Sequence, residues 1–294
     1  MSIGYEQQIK ILKCSFIKEI QKIRLGLSIV GLVLLTPLQS QEQAGVKSLI
    51  GAFQEGRLLP LISTSVPEIT LHEAYQIQKK FVEGIRGESR VVGFKAGLTS
   101  KSARKRFQAD EPLSGVLLET MDLSSRPDVI LADHQRLMIE TEIAFIVGKP
   151  IRRPISKLKY LKRRIKWIAP ALELPELGFR NQKKLTLIDL VAANVSAVGF
   201  VVGERIAQQD VVLREVEVGL LKDGSLVNQG KGNEVMGDPW MAALWLANHA
   251  LSKGWTLEPG MVLLTGAIGG LVLVEKGEYV GIFGELGEVR LQVR

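Results

Sequence analysis

Two glutamates near the middle of the chain are spaced so that both side chains would leave the same face of a strand. Glu140 and Glu142 are separated by one residue, and residues 143–147 after them are all apolar. Successive side chains of a strand point to opposite faces, which would place these two Cα atoms about 6.7 Å apart on one face. Two acids on a buried strand repel each other unless a cation or solvent lies between them.

A third acid, Glu173, lies in another short apolar run, residues 167–174. Three carboxylates, with no histidine or cysteine in these segments, are typical ligands of a hard divalent cation such as Mg²⁺ or Mn²⁺, and less typical of zinc. The alternative is that Glu140 and Glu142 lie on the solvated face of an antiparallel sheet. The apolar residues after Glu142 favour a strand buried on both sides, where charged groups are usually paired or metal-bound.

The elements that would position these acids follow from the hydrophobic pattern. Residues 45–87 are helical in pattern, with a loop at 60–67, and the capping-box spacing of Thr70 and Glu73 predicts the start of a helix. Later residues form short apolar runs cut by glycine and proline, and Asp223-Gly224 predicts a hairpin turn. The predicted strands are 90–95, 115–118, 128–131, 138–147, 168–174, 197–202, 216–222, 225–230, 261–265, 279–282 and 288–293, and the later predicted helices are 102–107, 157–166 and 239–253.

Many strands with few helices between them argue against a doubly wound sheet of alternating strands and helices. We therefore predict an α+β fold, in which a mixed, rolled β-core carries peripheral helices and a small helical N-terminal layer. The predicted organisation is a leader at 1–40, the helical layer at 45–87 and a β-rich catalytic domain at 88–294.

Positive charge is concentrated in two segments of a chain whose formal net charge is +7. Residues 149–166 contain no acid, and Leu158, Leu161 and Ile165 recur in them at helical spacing, which predicts an amphipathic helix with a basic outer face. This face is either simply solvated or a surface for anionic lipid or another polyanion. Because no aromatic stacking pattern, zinc-ligand spacing or binding motif accompanies the charges, we expect no nucleic-acid partner.

The first forty residues have the pattern of a targeting segment. A basic stretch ends at Arg24, an apolar run follows at 25–35, and residues 39–43 are polar. The apolar run suits a signal peptide better than a spanning helix, which needs about 20 residues. We therefore expect export to the periplasm, with an uncleaved extension and a cytoplasmic location as alternatives, and possible contact of the leader or the basic segment with a membrane surface.

Several common catalytic signatures are absent from the sequence. Cys14, in the leader, is the only cysteine, which excludes an intramolecular disulfide and a thiol nucleophile in the globular part. The glycine cluster at 266–270 lacks the strand and helix context of a nucleotide-binding loop, and there is no nucleophile elbow. The three histidines are scattered along the chain.

Several short segments then occur in a distinctive order. They are 92–100 (VGFKAGLTS), the Glu140-x-Glu142 strand, 170–173 (PALE), Asn194-x-Ser196, Gly237-Asp238-Pro239 before 245–248 (WLAN), 264–267 (LTGA) and 284–287 (GELG). Together they resemble the 2-keto-4-pentenoate hydratase and 2-oxo-3-enedioate decarboxylase branch of the fumarylacetoacetate hydrolase superfamily. The resemblance spans residues 71–294.

This resemblance implies a magnesium- or manganese-dependent enzyme with a mixed β-roll, generally a homo-oligomer. It places the metal on Glu140, Glu142 and Glu173. It also implies a small 2-oxo or 2-hydroxydienoic acid as substrate, of the kind met in the catabolism of aromatic compounds. The hydratase activity adds water to a 2-hydroxy-2,4-dienoate and gives a 4-hydroxy-2-oxoacid.

The resemblance also implies roles for five other residues. Lys95 is the candidate for proton handling or carboxylate binding, and Asp110 lies in the family's Asp-x-Pro loop. Ser196 and Thr265 would bind the substrate carboxylate, and Gly266 would let the backbone approach it closely. The structural alternatives are a strand-end lysine that reaches solvent, a turn-forming aspartate and ordinary strand-end hydroxyls.

The chain departs from the family pattern at Leu113 and Ala193, where many hydratases carry aspartate. Three hypotheses therefore stay open: a hydratase, a decarboxylase of a 2-oxo-3-enedioate, and a degraded, non-catalytic oxoacid-binding protein. Hydrolysis of an acylpyruvate is disfavoured, because no His–Glu pair that could activate water is evident.

Overall fold

Two mixed β-sheets with helices packed on them make up most of the structure, a computed structural model that describes residues 37–207 and 211–294, with side chains from residue 41 onward. The predicted leader lies outside the described residues, except that the first helix begins at Pro37. Residues 45–294 form one compact unit. Within the described ranges, none of the helices combines the length and the apolar character that a membrane crossing needs.

The helices are α1 (Pro37–Gln54), α2 (Ile62–Ser65), α3 (Leu71–Arg86), α4 (Lys101–Phe107), α5 (Leu158–Lys162), α6 (Leu187–Ala192) and α7 (Pro239–Ser252). The strands are β1 (Val91–Gly97), β2 (Leu113–Leu118), β3 (Asp128–Val129), β4 (Met138–Val147), β5 (Ile165–Pro175), β6 (Ala197–Val202), β7 (Ile206–Ala207), β8 (Glu217–Lys222), β9 (Ser225–Lys231), β10 (Val262–Leu264), β11 (Ile268–Leu273), β12 (Gly277–Ile282) and β13 (Glu288–Val293).

The larger sheet carries the acids. Its strand order is β2-β1-β10-β4-β5-β6, with β11 added to β4 and β7 added to β5. The β1–β10 pair is parallel and the other pairs of this sheet are antiparallel. The second sheet has the order β3-β13-β12-β8-β9. These mixed sheets with peripheral helices confirm the predicted α+β class.

Local sequence signals account for two of these elements. Thr70 and Glu73 form the predicted capping box at the start of α3, because the Thr70 N–H donates to Glu73 Oε2 at 2.8 Å and the Glu73 N–H donates to Thr70 Oγ1 at 3.3 Å. The turn between β8 and β9 has Asp223 at φ 48° and Gly224 at φ 80°, the left-handed pair that a two-residue hairpin needs.

The prediction of a helix over 157–166 is wrong after Lys162. The helix α5 ends there, and Ile165 begins β5 with Val147 of β4 as its partner. Ile165, Trp167 and Ile168 are β-branched or aromatic residues that suit a strand, and their pairing with β4 outweighs the helical spacing. The sequence also failed to predict α6, β7 and β11, and it assigned the short helix α2 to a loop.

The apolar side chains form two clusters. The larger cluster lies between the sheets and α7, and the side chains of β4 contribute to it from Ile143 to Val147. The smaller cluster joins α1 and α3 to α6 through residues such as Leu49, Phe81 and Val191. The N-terminal helices therefore pack against α6, which directly precedes residues 194–196.

Candidate active site

Glu140, Glu142 and Glu173 converge at the junction of β4 and β5. Glu140 and Glu173 are direct Cα partners in the antiparallel ladder, and Glu142 is two residues further along β4 on the same face. One carboxylate oxygen from each of the three residues lies within 4.8 Å of the others. Two adjacent strands thus bring together the three acids that the sequence analysis selected.

This acid trio fits a hard divalent cation. Glu142 and Glu173 have no exposed surface, and Glu140 is half-buried. Among the described residues, neither Glu142 Oε1 nor Glu173 Oε1 has a hydrogen-bond partner. A buried carboxylate oxygen without a partner is costly, and an oxygen-loving dication held between the acids would remove that cost.

Lys95 is the cation that the protein itself supplies to the trio. Lys95 is buried, and its Nζ donates to Glu173 Oε2 at 2.8 Å and to the Val195 carbonyl at 3.2 Å. Burial lowers the pKa of Lys95, but the nearby carboxylates of Glu173, Glu140 and Glu142 outweigh burial and raise this pKa above its ordinary value. The side chain is therefore an ammonium at neutral pH.

The pKa values of the two buried acids are also raised, but here burial is the main cause. Burial, with a contribution from Glu140, raises the pKa of Glu142 to about 8, although Lys95 and the Gly266 N–H oppose this change. Burial also raises the pKa of Glu173 well above its usual range. Full ionisation of the trio therefore requires more positive charge than Lys95 alone provides.

The segment Asn194–Ser196, which contacts Lys95, has a strained backbone. Asn194, Val195 and Ser196 have φ values of 57°, 51° and 60°, in the left-handed region that a β-branched residue rarely adopts. The Asn194 side chain holds this segment, because it accepts from the Val116 N–H at 2.7 Å and donates to the Val116 carbonyl at 2.8 Å. The segment thereby presents the Val195 carbonyl to Lys95.

Ser196 has a hydroxyl that is available to a ligand. The residue is 4% exposed, and its Oγ has no hydrogen-bond partner among the described residues. The same residue lines a cavity beside the trio. Buried hydroxyls usually have a hydrogen-bond partner, so this one is free to bind an oxygen of a ligand in the cavity.

Thr265 and Gly266 contact the protein itself. Thr265 Oγ1 donates to the Ile143 carbonyl at 3.0 Å, and the Gly266 N–H donates to Glu142 Oε2 at 2.7 Å. Gly266 has φ 98°, and a Cβ at this position would lie 2.3 Å from Thr99 Oγ1. These two residues fix β4 and orient Glu142, and neither is part of the cavity lining.

The cavity beside the trio has a volume of about 1170 Å³. Lys95, Glu140 and Ser196 form part of its wall, and most of the remaining lining is apolar. Three further cations line it, namely Arg106, Arg136 and Lys183. The cavity is large enough for a small organic acid, and its charged groups are of both signs.

A buried aspartate that the sequence analysis missed secures one wall of this cavity. Asp189, which is 1% exposed, accepts hydrogen bonds from the backbone N–H and the hydroxyl of both Ser63 and Thr186, at distances of 2.7 to 3.0 Å. Ser63 and Thr186 both line the cavity. The Thr-x-x-Asp spacing of a capping box was the signal that could have identified this element.

The remaining predicted positions lie apart from the trio. Asp110 is exposed, in the loop after α4, and does not belong to the cavity lining. Leu113 and Ala193, where the family pattern has aspartate, are buried in the smaller apolar cluster. No sequence signal distinguishes Arg106, Arg136 or Lys183, because exposed cations of this kind have no characteristic spacing.

The comparisons with known proteins agree with this geometry. The chain is 30% identical over 247 residues to a 2-keto-4-pentenoate hydratase of Paraburkholderia xenovorans (strain LB400), which covers 83% of this chain and 90% of that protein. It is also 30% identical over 236 residues to a 2-oxo-hept-4-ene-1,7-dioate hydratase of Escherichia coli, which covers 78% of this chain and 88% of that protein.

A solved structure has the same architecture. The 4-oxalocrotonate decarboxylase from Pseudomonas putida G7, complexed with magnesium and adipate, superposes with a TM-score of 0.81 at 25% sequence identity, covering 87% of this chain and 98% of that one. The fold and the site thus define an α+β protein built around a carboxylate cluster. The family model for the fumarylacetoacetate (FAA) hydrolase C-terminal domain matches residues 105–294, and the chain belongs to the fumarylacetoacetate hydrolase family.

Proposed function

We propose that this protein is a metal-dependent hydro-lyase that adds water to a 2-hydroxy-2,4-dienoate and gives a 4-hydroxy-2-oxoacid. The observation that carries the proposal is the convergence of Glu140, Glu142 and Glu173 beside the Lys95 ammonium on a cavity wall. The two hydratases among the relatives support this reaction class.

The trio would hold Mg²⁺ or Mn²⁺, a choice supported by its all-oxygen donor set and by the magnesium in the related decarboxylase structure. When bound, such an ion would supply Lewis-acid stabilisation of the enolate-like negative charge that develops on the 2-oxygen of the substrate.

The protein's own residues would bind the substrate and handle its protons. The Lys95 ammonium would either bind the substrate carboxylate or donate the proton that C5 gains before water adds at C4, becoming a neutral amine in that step, and Ser196 offers its unpaired hydroxyl. Thr265 and Gly266 would act through Glu142 rather than on the substrate directly. Asp110 stays a sequence-based candidate for proton transfer, at a position that would have to move to reach the cavity.

A second candidate function is the decarboxylation of a 2-oxo-3-enedioate. Arg106, Arg136 and Lys183 give the cavity three cations in addition to Lys95, and a diacid has a second carboxylate that could bind to them. The related decarboxylase structure contains adipate, which is also a diacid. The Arg136→Gln variant tests whether a second carboxylate binds here, since it should raise KM for a dienedioate and leave KM for a monoacid dienoate unchanged, whereas release of carbon dioxide distinguishes decarboxylation from hydration.

The experiment that tests the proposal is a spectrophotometric assay of purified protein against a panel of 2-hydroxydienoic and 2-oxo acids with Mg²⁺ or Mn²⁺. Enzyme-dependent loss of the dienol chromophore, with a 4-hydroxy-2-oxoacid as product, supports the hydratase. Release of carbon dioxide supports the decarboxylase. Binding of these acids without any turnover, at every metal and substrate tested, would establish the non-catalytic binding protein instead.

Export, membrane-surface contact through the leader or the basic segment, and a homo-oligomeric state stay proposals from the sequence. A mass measurement of the N-terminus from the native host tests cleavage after the apolar run at 25–35, with the uncleaved, cytoplasmic chain as the alternative outcome.

A further inference from the structure

A basic hollow lies at the opposite end of the strand pair that carries the acid trio. It is formed by the connection between β4 and β5, has a volume of about 670 Å³, and is lined by five cations: Lys149, Arg152, Arg153, Arg163 and Arg164. No acid is among its lining residues. Residues 149–166 contain no acid either, so the positive charge has no compensation within the segment.

Three of these cations have no protein partner among the described residues. Arg152 pairs with Glu258 at 3.2 Å, and Arg164 donates to the Pro150 carbonyl at 3.2 Å. Lys149, Arg153 and Arg163 are exposed and make no such bond. Like charges held close together repel one another, and an anion bound between them removes the repulsion.

The backbone of the hollow is held in place by the rest of the fold. The N–H groups of Gly148 and Lys149 both donate to the Arg164 carbonyl. Asn248 of α7 accepts from the Ile155 N–H at 2.8 Å and donates to the Ile155 carbonyl at 2.9 Å. The hollow is therefore a preformed site, and the anchoring of its walls lowers the conformational cost of binding a ligand.

We propose that this basic hollow binds a small anion that carries phosphate groups, at a site separate from the acid trio. Guanidinium groups match phosphate oxygens with paired hydrogen bonds, and a multiply charged ligand uses several of the cations at once. The concave shape suits a small molecule better than a membrane. Tyr160, which is 42% exposed, is the one large exposed apolar or aromatic side chain in the lining.

The hollow is also distant from the proposed active site. Glu142 and Val147, where β4 ends, are five residues apart, or about 17 Å along the strand. One small ligand cannot occupy both sites across this distance. An anion in the hollow would therefore not compete with a substrate at the trio, and failure of one proposal leaves the other intact.

The test is calorimetric titration of fructose 1,6-bisphosphate into the full-length, Mg²⁺-loaded protein. We expect saturable one-site binding that weakens as salt rises. The double variant Arg153→Gln/Arg163→Gln should weaken this binding about tenfold or more, since two charge-assisted contacts are lost.

The matched variant Arg126→Gln/Arg294→Gln removes two exposed arginines next to β3, on the other sheet, and should bind the bisphosphate like the wild type. Turnover of the dienoate should be the same in all of them.

Other outcomes would overturn the proposal. No saturable binding by the wild type, equal binding by the Arg153/Arg163 variant, or equally tight binding of sulfate and citrate would each do so. Vesicles of equimolar phosphatidylcholine and phosphatidylglycerol provide a further arm, because binding to these vesicles alone would identify a membrane surface. The variant Arg153→Lys/Arg163→Lys keeps the charge and the fold, and its binding should be weakened severalfold through loss of the paired hydrogen bonds.

Discussion

Glu140 and Glu173 lie directly opposite each other across the antiparallel β4–β5 ladder. Like charges in such a cross-strand pair destabilise a sheet, and here Glu142 adds a third carboxylate on the same face. Lys95 balances only part of this charge. The arrangement is therefore best explained by a cation that belongs to the working protein.

Removal of one buried acid should weaken both metal binding and turnover. We expect Glu142→Gln to lower kcat/KM by at least about 100-fold and to weaken Mg²⁺ binding, because a ligand charge and its bond geometry are lost. Calorimetric titration of Mg²⁺ and the dienol assay measure the two effects. Glu217→Gln, an exposed change on β8, is the matched control. Wild-type affinity and turnover in Glu142→Gln would remove the basis of the assignment.

Loss of the Lys95 ammonium should destabilise the metal-free protein. The Lys95–Glu173 pair is buried on both sides, with side-chain exposures of 3% and 0%. Breaking such a pair costs about 3 to 5 kcal/mol, so Lys95→Met should lower the free energy of unfolding in urea by about this amount when a chelator is present. Saturating Mg²⁺ should recover part of the loss by taking over the charge compensation. Lys276→Met, at an exposed position just before β12, should leave the free energy unchanged.

Ser196 and Ser63 line the same cavity, but we expect the first to affect substrate binding and the second to affect stability. Ser196→Ala removes a hydroxyl without a protein partner, so we expect a KM several times higher and an unchanged free energy of unfolding. Ser63→Ala removes the donor that lies 2.7 Å from Asp189 Oδ2, and should lower the free energy of unfolding by about 1 kcal/mol. Steady-state kinetics and urea unfolding of both variants measure this contrast. A destabilised Ser196→Ala protein with normal KM would assign that hydroxyl to structure.

The buried His249 should make stability depend on pH. Burial, and then the charge of Lys253, lowers its pKa to about 4 from an ordinary value of 6.5. The folded state therefore favours the neutral imidazole, and this contribution is complete above pH 6.5 and is lost as pH falls towards 4. Between pH 7 and pH 5 the loss amounts to about 2 kcal/mol.

The variant His249→Gln keeps a polar group near Ser114, whose hydroxyl lies 2.9 Å from His249 Nδ1, and removes the titration. Its free energy of unfolding should fall less between pH 7 and pH 5 than that of the wild type, when both are measured with a chelator. His72→Gln, at an exposed position on α3, should follow the wild type. Equal losses in the wild type and in His249→Gln would show that other groups control the pH dependence.

The acid trio could be predicted because its signal is local. Alternation along β4 puts Glu140 and Glu142 on one face, and a short apolar run identifies the strand of Glu173. The strand boundaries at 138–147, 197–202 and 288–293 match the structure for the same reason. What the sequence could not provide was the pairing of β4 with β5, which decides that the acids face each other.

The errors come from long-range packing. The basic segment has a helical spacing of apolar residues, but pairing with β4 turns its second half into β5. The glycine-rich β11 has weak strand propensity, and its pairing with β4 establishes it as a strand. The hydrogen bonds of Thr265 and Gly266 to β4 also join chain segments more than 120 residues apart in sequence, so the sequence could not show them. The predicted role of these two residues in substrate binding stays a prediction.

Because all three acids come from two neighbouring strands, the length of the connecting segment between β4 and β5 can vary without disturbing them. A residue inserted within either strand would shift the ladder and turn carboxylates to the wrong face. A residue inserted at 150–160 would leave the register intact. This connection is therefore a place where homologous chains can diversify, and where an engineered control element could be grafted while the chemistry is kept.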